Sequence, residues 1–367
     1  MRFTVQRETM LKPLLLTSGV VERRQTLPIL SNILLSVRPG TLAMTSTDLE
    51  VEMVVRTPVD STEAGEATVP ARKFLDIFRA LPEQARVEVI CDGDRVIIRS
   101  GRSRFTLATL PAAEFPSIEN VAGTINLEVP KGTLKTLIDR TQFAMAQQDV
   151  RYYLNGLLLE ISDKQIRAVA TDGHRLALCE QPIDGQSIEE TQQFIVPRKG
   201  IQELGRLLES SSDTVSLVLG ANFIRLATAD FTFTSKLVDG RFPDYQRVLP
   251  QGGDKNVIVD RNELREALIR AAILSNEKYR SIRFQLSSGN VKIFAHNPEQ
   301  EEAEEDVEVN YQGESLEIGF NVHYILEAIN AIDRESVELL MSDANSCCLI
   351  QGSEANYCRY VVMPMRI

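Results

Sequence analysis

Val69-Pro70-Ala71-Arg72-Lys73 returns further along the chain as Val196-Pro197-Arg198-Lys199, and this repeated stretch decides the fold. Phe320-Asn321-Val322-His323 lies where a third copy is expected. A shorter motif, Thr47-Asp48-Leu49, returns as Thr171-Asp172-Gly173 at a similar offset of about 125 residues. A constant period is the sequence signature of tandem structural repeats. The 367 residues are therefore predicted to contain three copies of one unit.

A finer period lies inside each copy, because a hydrophobic residue and a helix-start residue repeatedly precede apolar residues at helical spacing. The six junctions of this kind are Val5-Gln6, Val69-Pro70, Val129-Pro130, Val196-Pro197, Val259-Asp260 and Phe320-Asn321. Proline suits the start of a helix, where its missing N–H needs no partner, and Asp or Asn can cap a free backbone N–H. Short alternating runs after each helix predict strands. Each half-unit is thus one helix followed by three or four antiparallel strands.

The predicted fold class is α+β, with three tandem domains that each pack two helices on one side of an antiparallel sheet. The pattern pauses near residues 120–123 and again in the Pro/Gly/Asp stretch 250–255. The expected domains are therefore residues 1–121, 122–252 and 253–367.

The repeats are expected to close into a ring. Stacked repeats need polar end caps or must close on themselves, and the first and last copies look like the middle one. The chain begins and ends in the strand-like segments Phe3-Thr4-Val5 and Tyr360-Val361-Val362-Met363. Exposed strand edges associate unless they are paired. We expect these ends to pair head to tail with a second chain.

Two charged segments fit a contact between chains. The first copy carries Arg99, Arg102 and Arg104. The third copy carries an acidic run that includes Glu299, Glu301, Glu302, Glu304 and Glu305. Such a run is most often a solvated face. The alternative is that it faces the arginines of a second chain and fixes the polarity of the contact, with Ile273 and Leu274 as the apolar centre.

The charges are unevenly distributed, although the net charge of −11 argues against a protein that coats nucleic acid. The helical segments 7–24, 70–84, 130–151, 197–209, 261–280 and 321–334 contain 20 basic and 13 acidic residues, which leaves 20 and 38 elsewhere. If the helices line a ring, its hole is positive and tolerates duplex DNA without reading its sequence. The candidate phosphate contacts are Arg24, Arg72, Lys73, Gln148, Tyr152, Tyr153, Arg198 and Lys199.

Catalysis finds little support in the sequence. Asp172 and His174 in a Gly-containing turn suggest acid–base or metal chemistry, but a nucleophile or further ligands are missing. The chain has neither an ATP-binding loop of the Gly-x-x-x-x-Gly-Lys type nor a Gly-x-Ser-x-Gly elbow. We expect no enzyme activity, metal or cofactor. A repeat scaffold without nucleic acid is a further alternative.

Five cysteines, an odd number without metal-type spacing, predict reduced thiols in a cytosolic protein. No apolar run approaches the roughly 18 residues that a membrane span needs. The first residues alternate like a strand and lack the apolar core of a signal peptide. The expected location is the cytoplasm.

Several blocks of the sequence resemble one family, the bacterial replicative sliding clamps, which are the β subunits of DNA polymerase III. The main blocks are Gln148 to Gly156, Thr171 to Leu176 and Phe231 to Pro250. The segment Ala271 to Lys278 and the ending Val361 to Ile367 agree as well. The likeness runs through all three copies and is therefore far more specific than a single motif.

The resemblance implies a head-to-tail homodimer of three-domain chains, a ring of DNA-clamp domains around duplex DNA. The resemblance implies that the chain itself catalyses no reaction, since the polymerase activity belongs to the DNA polymerase III holoenzyme. It also implies that a separate ATP-driven clamp loader complex loads the chain onto DNA. The implied partners are the replicative polymerase catalytic subunit, translesion polymerases and mismatch-repair and other proteins, and the implied location is the nucleoid.

The resemblance also implies a cleft between the second and third domains in which partners dock a short linear peptide. By position, the cleft residues are Leu154, Thr171, Gly173, His174, Arg175, Leu176, Pro243, Arg247, Val248, Val361, Met363, Pro364, Met365 and Arg366. Methionine is unbranched and polarizable, so a Met-rich pocket accommodates varied apolar anchors. Arg175 and Arg366 are expected to meet acidic or carbonyl groups of the peptide.

Reversing the charges in the double variant Arg102→Glu, Arg104→Glu is predicted to weaken the homodimer. The loss is expected to be about tenfold or more at low salt and smaller at high salt, because salt screens exposed charges. Sedimentation at two ionic strengths measures the dimer affinity. An unchanged affinity at low salt would refute the charge pairing.

Overall fold

The computed structural model of the chain describes residues 1–21, 27–118, 123–183, 190–208, 213–250, 252–353 and 357–366. Within these ranges, six α-helices each begin one residue after a predicted junction. They are α1 (Arg7–Val20), α2 (Ala71–Ala80), α3 (Lys131–Thr141), α4 (Arg198–Leu207), α5 (Arg261–Ala272) and α6 (Val322–Asn330). The prediction that a helix leads each of six half-units is confirmed, although α1 is followed by five strands, β2 to β6, rather than three or four.

Short strands run between the helices. The first part of the chain contains β1 (Arg2–Gln6), β2 (Asn32–Arg38), β3 (Thr41–Thr47), β4 (Val51–Pro58), β5 (Asp60–Glu63), β6 (Gly65–Pro70), β7 (Arg86–Asp92), β8 (Arg95–Ser100) and β9 (Ser103–Ala108). The middle part contains β10 (Ile125–Pro130), β11 (Gly156–Ile161), β12 (Gln165–Thr171), β13 (Arg175–Pro182), β14 (Gln192–Pro197), β15 (Thr214–Leu219), β16 (Phe223–Ala227) and β17 (Phe231–Lys236). The last part contains β18 (Lys255–Asp260), β19 (Ser281–Ser287), β20 (Asn290–His296), β21 (Glu302–Glu308), β22 (Leu316–Asn321), β23 (Ser336–Met341), β24 (Cys348–Gly352) and β25 (Cys358–Val362).

Each helix follows its strand without an intervening loop. Pro70 ends β6 and Ala71 begins α2, and Asp260 ends β18 and Arg261 begins α5. The Asp260 carboxylate accepts hydrogen bonds from the backbone N–H groups of the second and third helical residues. Such a cap satisfies donors that have no partner within the helix. The residue at the junction therefore fixes the point at which extended chain turns into helix.

The helices are shorter than the six helical segments predicted from the sequence. Helix α2, for example, ends at Ala80, just before Leu81-Pro82, where proline disfavours helical backbone at the preceding residue. The six observed helices contain 14 basic and 7 acidic residues. Their net charge of +7 equals that of the longer predicted segments. The basic character therefore belongs to the helices themselves.

The strands form four antiparallel sheets, with the orders β5-β1-β7-β8-β9, β10-β15-β16-β17-β4-β3-β2-β6, β14-β11-β12-β13-β25-β24-β23-β18 and β21-β20-β19-β22. Both eight-stranded sheets cross a boundary between copies. In one of them, β17 of the second copy pairs with β4 of the first. In the other, β13 of the second copy pairs with β25 of the third. The repeat pattern alone did not reveal this sharing of sheets.

Two compact units result from the shared sheets. One comprises Met1–Gly132 and Gln202–Leu237, and the other comprises Thr133–Ile201 and Val238–Ile367. The first unit contains a large core that includes Phe74 and Phe78, the fully buried rings of α2, and α2 packs against α1. The second unit contains the packed pair α5 and α6. The expected boundary after residue 121 lies outside the described residues.

The terminal strands are interior strands of their sheets. β1 pairs with both β5 and β7, and β25 pairs with both β13 and β24. The expectation that the chain ends pair with a second chain is therefore wrong, because their backbone groups are hydrogen-bonded on both sides. The edge strands are instead β5 and β9 in the five-stranded sheet of the first copy and β21 and β22 in the four-stranded sheet of the third.

An arginine at the first position of a helix ties it to the other helix of its copy. Arg7 of α1 donates to the carbonyl oxygens of Phe78 and Arg79 at the end of α2. In the third copy, Arg261 of α5 donates to the carbonyl of Ile332, just beyond α6. Carbonyl groups at a helix C-terminus lack intrahelical partners and carry partial negative charge. These arginines therefore stabilise the paired helices.

The cysteine prediction is wrong at one pair. Cys179 and Cys358 lie opposite each other on β13 and β25 and form a disulfide. Cys91, Cys347 and Cys348 are free thiols. In the part of the chain that the structure describes, no helix is long and apolar enough to cross a membrane.

Asp260→Ala is predicted to lower the free energy of unfolding by about 1 kcal/mol, because α5 loses its N-cap. Asp260→Asn retains a capping oxygen and should stay close to the parent protein. Thermal unfolding followed by circular dichroism measures both variants. Equal melting temperatures for the two would contradict the capping role.

Candidate functional site

The turn between β12 and β13 is built by two of its own side chains. The Thr171 hydroxyl donates to the carbonyl of Arg175 and accepts from the N–H of Gly173. The Asp172 carboxylate accepts from the N–H groups of His174 and Arg175. Gly173 has a φ of +89°, a conformation that costs other residues roughly 1–2 kcal/mol. Since Asp172 serves the turn, its role here is structural rather than acid–base.

The first copy contains the same turn, with the same hydrogen bonds. Thr47 donates to the carbonyl of Val51 and accepts from the N–H of Leu49, whose φ is +78°. Asp48 accepts from the N–H groups of Glu50 and Val51. The repeat seen in the sequence is therefore preserved at the level of individual hydrogen bonds.

The chain at the end of the paired strand is held in the same way in both copies. The N–H of Met363, just after β25, donates to the carbonyl of His174. At the matching turn of the first copy, the carbonyl of Glu50 accepts from the N–H of Lys236, the last residue of β17. The C-terminal residues are thus fixed beside the Thr171–Arg175 turn by sheet geometry.

Arg175 connects this turn to α6. Its Nε donates to Asp172 Oδ2 at 3.2 Å, its Nη1 contacts the Glu327 carboxylate and its Nη2 donates to the Phe143 carbonyl at 2.7 Å. The guanidinium also lies 4.5 Å from the centroid of the Tyr324 ring. Every nitrogen of the Arg175 guanidinium therefore has a partner within the chain, which favours a positioning role over the expected contact with peptide acids.

A cavity of about 140 Å³ opens beside the turn. Nine of the predicted cleft residues line it, namely Leu154, Thr171, Gly173, Arg175, Leu176, Pro243, Val248, Val361 and Met363. Leu154, Leu176 and Val361 belong to the buried apolar cluster beneath it. Met363 is partly exposed at the rim. The cavity is mainly apolar, with polar groups supplied by the turn.

Two further lining residues, Arg151 and Tyr245, were not predicted from the sequence, although both lie within segments that resemble the family. Arg151 bridges to Asp149 at 2.8 Å, and this hydrogen-bonded arginine lowers the pKa of Asp149 to about 2. Tyr245 is almost fully buried, and burial raises the pKa of its phenol. Either residue can be assigned to the cavity only when the fold shows that these segments lie close together.

The remaining predicted cleft residues do not line this cavity. His174 is exposed. Arg247 is also exposed, and its Nε forms a salt bridge with Asp244 Oδ2 at 2.8 Å. Pro364 is half-buried. Met365 and Arg366 line a larger cavity of about 400 Å³ formed mainly by β19, β20 and residues that flank these strands. The segment that follows β25 thus contributes to both cavities.

The candidate DNA contacts fall into distinct settings. Arg72 and Lys73 are exposed in the first turn of α2, and Gln148 and Tyr152 are exposed in the loop that also contains the half-buried Tyr153. Arg198 donates to the carbonyl of Met145 at 3.1 Å and is half-buried, as is Lys199, which also has a partner. Arg24 lies outside the described residues.

The candidate interface residues lie on or near two sheet edges. Arg104 on the edge strand β9 stands opposite Arg99 on β8, and Arg102 occupies the connecting turn. Like charges that face each other across strands are unfavourable unless other charges compensate. Ile273 and Leu274 directly follow α5.

The acidic side of the candidate interface is already partly paired within the chain. Glu302, Glu304 and Glu305 lie on the edge strand β21, and Glu299 and Glu301 precede it. Within the chain, Glu305 pairs with Arg270 at 2.7 Å and Glu304 with Lys292 at 2.9 Å.

Comparison with known families covers nearly the whole chain. The profile described as "DNA polymerase III beta subunit, N-terminal domain" matches residues 1–119, that of the central domain matches 128–244 and that of the C-terminal domain matches 246–366. The beta sliding clamp of Pseudomonas putida is 57% identical, and that of Escherichia coli K12 is 52% identical, each over 100% of both chains.

Solved structures agree with the sequence comparison. The crystal structure of the sliding clamp from Pseudomonas aeruginosa bound to griselimycin has a TM-score of 0.97 at 56% identity, covering 100% of both chains. A beta sliding clamp from Caulobacter crescentus has a TM-score of 0.95 at 38% identity, covering 100% of this chain and 99% of that one.

Arg175→Met is predicted to speed amide exchange in residues 172–175 and to lower the free energy of unfolding by about 2–3 kcal/mol. The change leaves the Asp172 carboxylate, 18% exposed, without its cation, and removing one partner of a buried pair costs several kcal/mol. Arg247→Met is the matched control, because it removes an exposed pair of the same i,i+3 spacing and exposed pairs contribute little. Hydrogen exchange and thermal melting that are the same for both variants would contradict the role of Arg175.

Proposed function

The chain belongs to the DNA polymerase III β subunit family, the bacterial β sliding clamps, and we propose how its residues perform that function. It is a non-catalytic processivity factor of DNA replication, which tethers the polymerase to duplex DNA. The polymerase activity resides in the other subunits of the holoenzyme. The observation that carries the assignment is the match to all three domains along the full chain.

The proposed domains are residues 1–121, 122–252 and 253–367, and two chains are proposed to form the ring head to tail. The proposed contact places the edge strand β9 of one chain beside the edge strand β21 of the other. Arg102 and Arg104 then face acidic side chains, which adds to the compensation that Glu88, 3.9 Å from Arg99, already gives the facing pair Arg99 and Arg104. Ile273, 75% exposed, and Leu274 supply the apolar part of the contact.

Contact with DNA is proposed to be electrostatic and independent of sequence. The six helices have a net charge of +7 in a chain whose net charge is −11. Basic residues that meet phosphates position a duplex without reading its bases. The exposed Arg72 and Lys73 and the loop residues Gln148, Tyr152 and Tyr153 are the best-placed candidates. Arg198 instead serves mainly to fix the chain around Met145.

Partners are proposed to dock through a short peptide in the cavity beside the Thr171–Arg175 turn. Its apolar lining and its flexible rim residue Met363 suit aliphatic or aromatic anchors. The relative bound to griselimycin, a compound that we propose occupies the corresponding cleft, supports this use. The proposed partners are the clamp loader complex, the replicative polymerase catalytic subunit, translesion polymerases and mismatch-repair proteins. The proposed location is the cytoplasm, at the nucleoid.

Retention on circular DNA tests encirclement. The protein, loaded on a nicked plasmid by a purified clamp loader, is predicted to co-elute with the circle in gel filtration. Cutting the plasmid once should release most of the protein, because a ring that holds DNA topologically slides off a free end. Blocking both ends with tightly bound proteins should restore retention. Retention on linear DNA with free ends would contradict encirclement.

A further inference from the structure

A row of charged and polar side chains crosses five neighbouring strands of the sheet that contains the cleft. In strand order β14-β11-β12-β13-β25, these residues are Gln193, Glu160, Arg167, Glu180 and Arg359. The pairing register places Glu160 opposite both Gln193 and Arg167, and Arg167 opposite Glu180, whereas Arg359 lies opposite Leu178 and diagonal to Glu180. Oppositely charged residues that face each other across strands stabilise a sheet. We refer to these five residues as the charged row.

The members of the charged row bond to one another. Arg167 donates to Glu160 at 2.5 Å and to Glu180 at 2.9 Å. Gln193 donates to the second oxygen of Glu160 at 2.9 Å, and Arg359 lies 3.6 Å from Glu180. Glu160 is only 7% exposed. Because a buried carboxylate is costly unless it is hydrogen-bonded, these contacts hold the row in one arrangement.

An apolar row lies beside the charged row on the same face of the sheet. Leu158, Val169 and Leu178 each lie two residues from a member of the charged row, and side chains two residues apart in a strand point to the same face. These residues belong to the buried cluster that also contains the cleft residues Leu154, Leu176 and Val361. The face of the sheet is therefore apolar toward the cleft and charged farther from it.

Tyr245 spans both rows. Its ring belongs to the apolar cluster and lines the cleft cavity. Its hydroxyl donates to Glu160 Oε1 at 3.1 Å and accepts from Arg167 Nη1 at 2.9 Å. A tyrosine with an apolar body and a hydrogen-bonded tip suits such a boundary. The segment around it, which contributes Pro243 and Val248 to the cavity wall, is thereby fixed to the sheet.

We propose that the charged row, through the hydroxyl of Tyr245, positions the Pro243–Val248 wall and so sets the width of the peptide cleft. Glu160 and Arg167 do not line the cavity beside the turn, so they are positioning residues that act through Tyr245. A wall released from the row has to be reordered each time a ligand binds, and that reordering weakens affinity. The inference rests on the proposed use of the cleft as a peptide site.

The test uses the full chain and griselimycin as the probe, with affinity measured by calorimetry. Tyr245→Phe keeps the ring and removes the hydroxyl, and Glu160→Gln weakens the row. Each variant is expected to bind about five- to tenfold more weakly, in keeping with the loss of a hydrogen bond to a charged group. The double variant is expected to bind griselimycin only slightly more weakly than the weaker-binding single variant, because both changes break the same connection between Tyr245 and Glu160.

Glu52→Gln is the matched control. Glu52 is also a buried carboxylate, and it accepts the N–H of Ile118 at 2.9 Å in the first copy. It should lower the melting temperature by a similar amount while leaving griselimycin affinity unchanged. An equal loss of affinity in Glu52→Gln would overturn the proposal in favour of general destabilisation. Unchanged affinity in folded Tyr245→Phe and Glu160→Gln would overturn it as well.

Hydrogen exchange in the free protein separates this inference from the proposed function. Tyr245→Phe should speed exchange of the backbone amides in residues 244–249, and Glu52→Gln should not. Failure of the parent protein to bind griselimycin would count against the peptide site, whereas unchanged exchange in Tyr245→Phe would overturn the role of the charged row. If Tyr245→Phe fails to fold, Gln193→Ala provides the milder change, since it removes one donor to Glu160 at an exposed residue.

Discussion

The antiparallel pairing of β13 with β25 is the contact on which the site depends. These strands are far apart in the sequence, yet their register places Arg175 opposite Val362. That register brings the Thr171–Arg175 turn beside the segment that follows β25. The floor of the cavity, its rim at Met363 and one end of the charged row all come from this pair. Arg175 then adds a second connection, from the turn to α6.

The sequence predicted much of the fold because local signals and the repeat agreed. Each junction residue, such as Pro70 or Asp260, marked the start of a helix to within one position. The strand runs were equally clear, since alternation of apolar residues reports a half-buried strand. The shared sheets could not be predicted in this way. Pairing partners such as β4 and β17 are chosen by long-range register, which alternation within one strand does not encode.

The cleft residues could be predicted where they lie in segments that resemble the sliding clamp family. Leu154, Leu176 and Val361 were found by position and do meet in one cavity. The role of Arg175 was harder to infer, because its partners Phe143 and Glu327 come from distant segments. Tyr245 and Glu160 are 85 residues apart, and neither suggests the other when the chain is read in order. Such networks depend on folded geometry and leave no periodic pattern in the sequence.

The sheets that cross the copy boundaries bear on whether one copy could stand alone. One copy excised from the chain would lose the strands that complete its sheets, as β4 would lose β17. The freed edges would expose unpaired backbone groups, which associate with other strands unless they are covered. A single copy of this architecture would therefore depend on strands from another chain, whereas the tandem arrangement supplies those strands within one chain. The sequence thus repeats in units of one copy, but the smallest part of the fold with complete sheets is larger than one copy.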